Sequence, residues 1–308
     1  MPAPPPVSRS KGVSRSFYLS LRLLPAPMRN AASTGYLLAR ASDTIADSAG
    51  PTSEDRLAAL REFSRAVEGS LTTFSCPAVL ISGVPDPRER ALLQELPGLL
   101  ESLALLPAAE RHLVREVVAT IIGGQELDLI RFGNATAANP VALPDETALT
   151  DYTWRVAGCV GEFWTKLGFL TLGGRFSGTA PEALLPLARD YGTGLQLVNI
   201  LRDLPRDLAD GRCYLPVADP LDKDSLLESH RTWLAKARLA VARGPAYSES
   251  LCSRRLRAAS VLPALIAEKT LDLLENADWQ TLESRVKVPR RRIYPLVARA
   301  FFHQSPTT

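Results

Sequence analysis

Histidine is scarce in this chain, and so are methionine, cysteine and the aromatics: 308 residues hold three His, two Met, four Cys and 6% Phe, Trp and Tyr. His112, His230 and His303 stand far apart and away from the acidic motifs, so no zinc site or Ser-His-Asp arrangement can be assembled by spacing. Cys76, Cys159, Cys213 and Cys252 show neither the paired spacing of a metal or redox motif nor the density of a disulfide framework, which fits reduced thiols in a cytoplasm. No run reaches the roughly 18–20 apolar residues that span a bilayer. Ala91–Leu106 comes nearest and is broken by Glu95, Pro97 and Glu101. A protein that is soluble or peripheral to the membrane is expected. Charge excess is also missing: 36 Lys and Arg against 33 Asp and Glu leave +3, which argues against a nucleic-acid binder. Gly123-Gly124 and Gly173-Gly174 lack the strand and third glycine of a dinucleotide fingerprint.

What is present is helical periodicity, with no strand series and no internal repeat. The opening MPAPPPVSRSKG is proline-rich and lacks the apolar middle of a signal peptide, so residues 1–11 read as a disordered tail. Residues 12–303 read as one all-α domain, and 304–308 as a short tail. Helices are predicted over Ser14–Leu24, Met28–Ser48, from Ser53 onward, and over Glu89–Leu106, Ala108–Arg131, Glu146–Leu167, Pro181–Asp203, Lys223–Arg243, Glu249–Leu282 and Pro289–Phe302. Cys76–Arg88 and Gly133–Pro144, both rich in proline, read as loops. Arg285–Phe302 mixes arginines with Ile, Tyr, Leu and Phe and could touch an anionic membrane surface. A final helix packed on the core with a basic outer face explains the same composition.

Two polar stripes run through apolar sequence at spacings of three and four: Tyr36, Arg40, Asp43, Asp47 and Gln196, Asn199, Asp203, Asp207. Such spacing places each set on one helix face. The residues between them include Leu37, Leu38, Ile45, Leu197, Val198, Ile200 and Leu201, so the polar face is the exception on each helix. Carboxylates on a helix buried by its other sides must be paired or must bind cations. One turn apart, with about 5–6 Å between Cβ atoms, they suit a hydrated divalent ion that prefers oxygen ligands and phosphates. A lone Asp-x-x-x-Asp means little, since such pairs commonly sit on solvated faces. Two with matching polar context mean more.

Ser14-Arg15-Ser16-Phe17, Met28-Arg29-Asn30, Tyr36–Asp47, YTWRVAGCVG (Tyr152–Gly161) and NILRDLPRDLADGRCYLP (Asn199–Pro216) together resemble the squalene and phytoene synthase family, the head-to-head prenyl diphosphate synthases, over residues 12–303. The resemblance implies a single-domain helical bundle around a central cavity in which Asp43 and Asp47 face Asp203 and Asp207, the four holding Mg2+ on substrate diphosphates. It further implies that Ser14, Arg15, Phe17, Tyr36, Arg40, Gln196, Asn199, Arg202 and Arg212 bind substrate, and that Tyr152, Arg40 and Asp43 act in catalysis. The chemistry agrees: ionising an allylic diphosphate makes an anion for metal and Arg to stabilise and a carbocation for a dry cavity to protect. The small residues Ala157, Gly158 and Gly161 form a trough that a prenyl chain or a packed helix would fill equally well.

The chain also departs from the family pattern. Pro205, between Asp203 and Asp207, is expected to kink or end its helix and displace Asp207. One aspartate followed by Thr44 resembles squalene synthases, whereas Asp210–Pro216 and Arg155 look as much like the carotenoid branch; Lys287 and Arg290 roughly match a basic segment tied to reduction. The expected activity is Mg2+-dependent condensation of two farnesyl diphosphates through presqualene diphosphate, followed by NADPH reduction to squalene. The alternatives are phytoene formation from geranylgeranyl diphosphate, presqualene diphosphate formation without reduction, or a non-catalytic assembly protein of the same fold. Chain-length preference and oligomeric state are not readable from these residues.

Overall fold

A computed structural model describes residues 21–289 together with Arg291 and Pro295. The expected tail 1–11 and nearly all of the expected helix Pro289–Phe302, with its membrane-facing reading, lie outside the described residues. Residues 21–133 with 166–173 form one compact unit, and 134–165 with 174–289 form a second.

In the first unit, α1 (Ala26–Ala46) begins behind Pro25 and Pro27, whose fixed φ suits a helix start and whose missing N–H groups cost nothing there. α2 (Ser53–Glu68) begins at Ser53 as expected, with the preceding Thr52 as its cap in a reciprocal capping box with Asp55. It ends on Gly69 at φ 88°. The region read as a loop contains a short helix, α3 (Ala78–Ser82), and the start of α4 (Pro87–Gln94), capped by the Asp86 side chain. The single helix expected from Glu89 to Leu106 is divided at Glu95, because the Pro97 ring cannot continue a helix but can sit in the first turn of α5 (Leu96–Ala104). α6 (Ala108–Phe132) buries Val114, Val117, Val118, Ile121 and Ile122. α1, with Met28, Leu37, Leu38 and Ile45 fully buried, packs on α6 and also meets α4 and α5.

In the second unit, the expected helix Glu146–Leu167 starts as α7 (Glu146–Thr153), capped by Asp145, widens into a π turn at Trp154–Gly158, and resumes as α8 (Cys159–Leu172). α9 (Pro181–Ala209) is the axis of this unit; α10 (Lys223–Val241), α11 (Arg243–Glu249), α12 (Arg254–Leu274) and the π turn all pack on it. The expected helix Glu249–Leu282 is broken where the Ser253 side chain caps α12, and α13 (Trp279–Glu283) stands apart. Pro263 lies inside α12 without ending it. Two-residue strands Val141–Ala142 and Arg212–Cys213 pair in parallel.

The small residues of the 157–161 segment are occupied by helix packing. A Cβ on Gly161 would stand 2.1 Å from the Ala188 carbonyl oxygen, and one on Gly192 would stand 2.5 Å from that of Ala157, so the backbones are in contact. The trough is filled by α9. Gly161→Ala forces backbone apart, and overpacking of this kind costs about 1–3 kcal/mol. Thermal unfolding followed by circular dichroism should show a fall of roughly 2–12 °C at the usual 2–4 °C per kcal/mol for domains of this scale; an unchanged melting temperature would refute the close approach.

Candidate functional site

The first acidic pair belongs to α1. Its apolar sides are buried as the alternation required, and Asp47, the exposed C-cap, donates its backbone N–H to the Asp43 carbonyl at 2.9 Å, which fixes the two carboxylates one turn apart. Asp43 is half-buried, with 45% of its side-chain surface open to solvent. Burial pushes its pKa up to about 7; Arg40 and the Gln125 hydrogen bond oppose this, and the negative charges of Asp47 and Glu89 reinforce it. The Arg40 Nη1 atom stands 3.7 Å from the Asp43 carboxylate while its other terminal nitrogen pairs with Glu89 of α4. Gln125 of α6, 7% exposed, donates its Nε2–H to Asp43 Oδ1.

Glu89 and Gln125 were not singled out from the sequence. Gln125 left one signal, a polar side chain directly after Ile121-Ile122-Gly123-Gly124 on the buried side of α6. Glu89 left none, since it sits in an ordinary charged first turn.

The second pair belongs to α9. Asn199 donates to Gln196 Oε1 at 3.3 Å on the face that carries Asp203 and Asp207. Arg202 forks onto Asp203, with Nε to Oδ1 at 2.9 Å and Nη2 on the second oxygen, so this arginine is engaged by its neighbour. Arg212 Nη2 lies 3.8 Å from Asp207 and 3.3 Å from Asp210. Its place depends on Gly211, at φ 81°, where a Cβ would meet the backbone of Ala135 and Thr136 at 2.5–2.8 Å. Burial raises the Asp207 pKa to about 7; Arg212 and Arg206 pull it down, Asp203 and Asp210 push it up.

Tyr152, buried at the end of α7, stacks on Tyr214 with ring centroids 4.7 Å apart. A cavity of about 370 Å³ beside α9 is lined by Arg202, Asp203, Arg206, Trp279 and Arg285 among others. Ser14, Arg15, Phe17 and Arg290 lie outside the described residues. Lys287 is exposed.

Of the two outcomes expected at Pro205, a kink or an end, the end is overturned: α9 continues to Ala209. Proline at 205 supplies no N–H for the Leu201 carbonyl, the partner one turn before. That carbonyl accepts instead from His230 Nε2 of α10 at 3.2 Å, both groups being buried. An orphaned buried carbonyl would cost about 1–3 kcal/mol. His230, expected to stand apart from the motifs, is thus bonded to the helix that carries the second pair.

The donor sets suit Mg2+. Each pair offers carboxylate oxygens only, and burial raises the pKa of one member of each, Asp43 or Asp207, to about 7. Mg2+ ordinarily takes one or two carboxylates and completes its shell with waters and substrate phosphate. Among the described residues no cluster of three His, Cys, Asp or Glu forms an all-protein cage. The raised values also give a sign. A carboxylate whose folded pKa exceeds its unfolded one favours folding most at low pH, and that advantage is lost as pH rises through about 7. Mg2+, competing with the proton, should therefore raise the melting temperature more at pH 8 than at pH 5.5, as scanning fluorimetry with and without the metal will measure; equal shifts at both values would contradict the carboxylate assignment.

Residues 10–292 match the family model described as squalene/phytoene synthase. The chain is 30% identical over 292 residues to the presqualene diphosphate synthase of Zymomonas mobilis, covering 91% of this chain and 87% of that protein. It is 33% identical over 213 residues to the enzyme of the same name in Rhodopseudomonas palustris, covering 69% of this chain and 62% of the relative. Among solved structures, TcSQS with the ligand BPH1237 superposes with a TM-score of 0.79 at 23% identity over 96% of this chain and 85% of that one, a likeness of fold. The sequence match and the shared helical architecture agree, and the chain belongs to the squalene/phytoene synthase family.

Proposed function

We propose that this chain condenses two farnesyl diphosphates head to head into the cyclopropyl product presqualene diphosphate, with residues 12–303 as the catalytic domain. The observation that carries this reading is the chemistry of the two aspartate pairs. Each is one helical turn long, with one carboxylate, Asp43 or Asp207, raised to about 7 for want of water. Asp43 with Asp47 and Asp203 with Asp207 would hold Mg2+, which neutralises diphosphate charge and so eases its departure.

The remaining work falls to side chains of the chain itself. Arg40 keeps a buried Nε–H without a partner, a donor suited to a phosphate oxygen, while its salt bridges to Asp43 and Glu89 hold the guanidinium in place. Arg212 at Asp207 is the corresponding cation of the second pair. Arg202 orients Asp203. Gln125 orients Asp43 in the same way. The stacked Tyr152 and Tyr214 offer electron-rich ring faces that would stabilise a passing carbocation, and the Tyr152 phenol would exchange a proton during ring closure. Tyr36, Gln196 and Asn199 border the aspartates and would contact the diphosphates, together with Ser14, Arg15 and Phe17.

The name carried by the Zymomonas relative, matched over 91% of this chain, favours a reaction that stops at the cyclopropyl diphosphate over one that proceeds with NADPH to squalene. Retention of all four aspartates and of their arginines favours catalysis over a scaffolding role. No described helix is long and apolar enough to cross a membrane, and contact with a membrane surface for product release is proposed on the composition of Arg285–Phe302.

Incubation of purified protein and Mg2+ with farnesyl or geranylgeranyl diphosphate, with and without NADPH, should give presqualene diphosphate from the first substrate in either condition. Squalene formed only with NADPH would restore the reductive reading, phytoene from the longer substrate would move the chain to the other branch, and no product from either would favour the non-catalytic one. Asp43→Asn and Asp203→Asn should each cost about 10²–10³-fold in kcat, the usual scale for removing one preorganised electrostatic group. Tyr152→Phe should lower kcat while the melting temperature holds, and full turnover by that variant would refute its role.

A further inference from the structure

The break that Pro205 would impose lies between the two aspartates of the second pair, two residues after Asp203 and two before Asp207. A helix deprived of the bond from residue 205 to Leu201 commonly bends there, because nothing pulls the carbonyl back toward the axis and the proline ring pushes it away. Here α9 stays helical to Ala209, with Leu201 and Leu204 buried on its inner side. The Leu201 carbonyl points to the His230 ring, 2% exposed on α10, and Nε2 lies 3.2 Å from it. A carbonyl only accepts, so Nε2 must carry the hydrogen. Burial lowers the His230 pKa, which keeps the ring neutral with a single N–H.

We infer that His230 is a positioning residue for the second acidic pair: its ring N–H replaces, from a neighbouring helix, the backbone N–H that Pro205 lacks, and so holds Asp207 one regular turn from Asp203. Proline and histidine form a unit in this account. Proline without the histidine leaves a buried carbonyl unsatisfied and the helix free to bend between the two carboxylates. Histidine without the proline is redundant, because an ordinary residue at 205 brings its own donor. The inference rests on Asp203 and Asp207 being the second metal-binding pair, but the coupling between residues 205 and 230 can be measured without any activity.

The test is a double-mutant cycle of His230→Ala, Pro205→Ala and the two combined, in the full chain. His230→Ala should lower the melting temperature and lower kcat/KM at least tenfold. It should also raise the Mg2+ concentration for half-maximal rate at least threefold, a change that mere loss of folded protein does not produce. In the double variant the amide of residue 205 takes the Leu201 carbonyl, so all three quantities should return to within about threefold, or a few degrees, of Pro205→Ala alone. His230→Gln, which retains a donor, should recover part of the loss. A double variant no better than His230→Ala would overturn the inference, since the ring would then serve packing alone. An unchanged Mg2+ requirement in soluble, folded His230→Ala would overturn it as well. If no variant or parent turns over prenyl diphosphates, the cycle is read from melting temperatures and from the shift given by Mg2+ alone, and additive effects of the two substitutions there would reject the pairing independently of the proposed reaction.

Discussion

Desolvation of like charges governs this protein. On α1 and on α9 the chain places two aspartates one turn apart on helices whose other faces are packed into apolar neighbours, and in each pair one carboxylate is driven to a pKa of about 7. Folding does not remove this penalty; it moderates it with fixed cations and donors. Arg40 and Gln125 serve Asp43, and Arg212 serves Asp207, each opposing the burial that raises the acid. The balance that remains is the raised pKa of one carboxylate in each pair.

Holding those acids to register demands stiff, closely packed helices. In the second unit this is achieved by bringing backbones together at Gly161, Gly192 and Ala188, where side chains would force them apart. The π turn at Trp154–Gly158, just after Tyr152, belongs to the same packing surface against α9. The tyrosine at the end of α7 is thus set by the same contacts that fix the helix bearing Asp203. The loop around Gly211 plays a comparable part for Arg212, since only a residue without Cβ can turn there against Ala135 and Thr136.

Much of the site was legible in advance because helical spacing converts directly into facing side chains: a stripe at three and four residues through Leu and Ile has one geometry. Helix caps were less so: the cap of α2 is Thr52, one residue before the helix start, and Ser253 caps α12 inside a stretch read as one continuous helix. Prolines, too, were less so. Pro97 did what its ring dictates and divided a helix, while Pro205 and Pro263 did not, and nothing within a few residues of each distinguishes the cases. The difference at Pro205 is a ring N–H from residue 230, 25 positions later. Gln125 and Glu89 were missed for the same reason, being ordinary residues on their own helices that become important through Asp43 and Arg40.

By itself the sequence determined the all-helical class, the two acidic stripes and the family, because periodicity, side-chain chemistry and short motifs act over one or two turns. Only the tertiary structure decided which arginines are already engaged, that the glycine-rich trough is filled by α9, and that α9 survives its proline. Those outcomes depend on partners far away in the chain, such as Ala188 for Gly161, Gln125 for Asp43 and His230 for Leu201, and a distance in space is what a linear pattern does not carry.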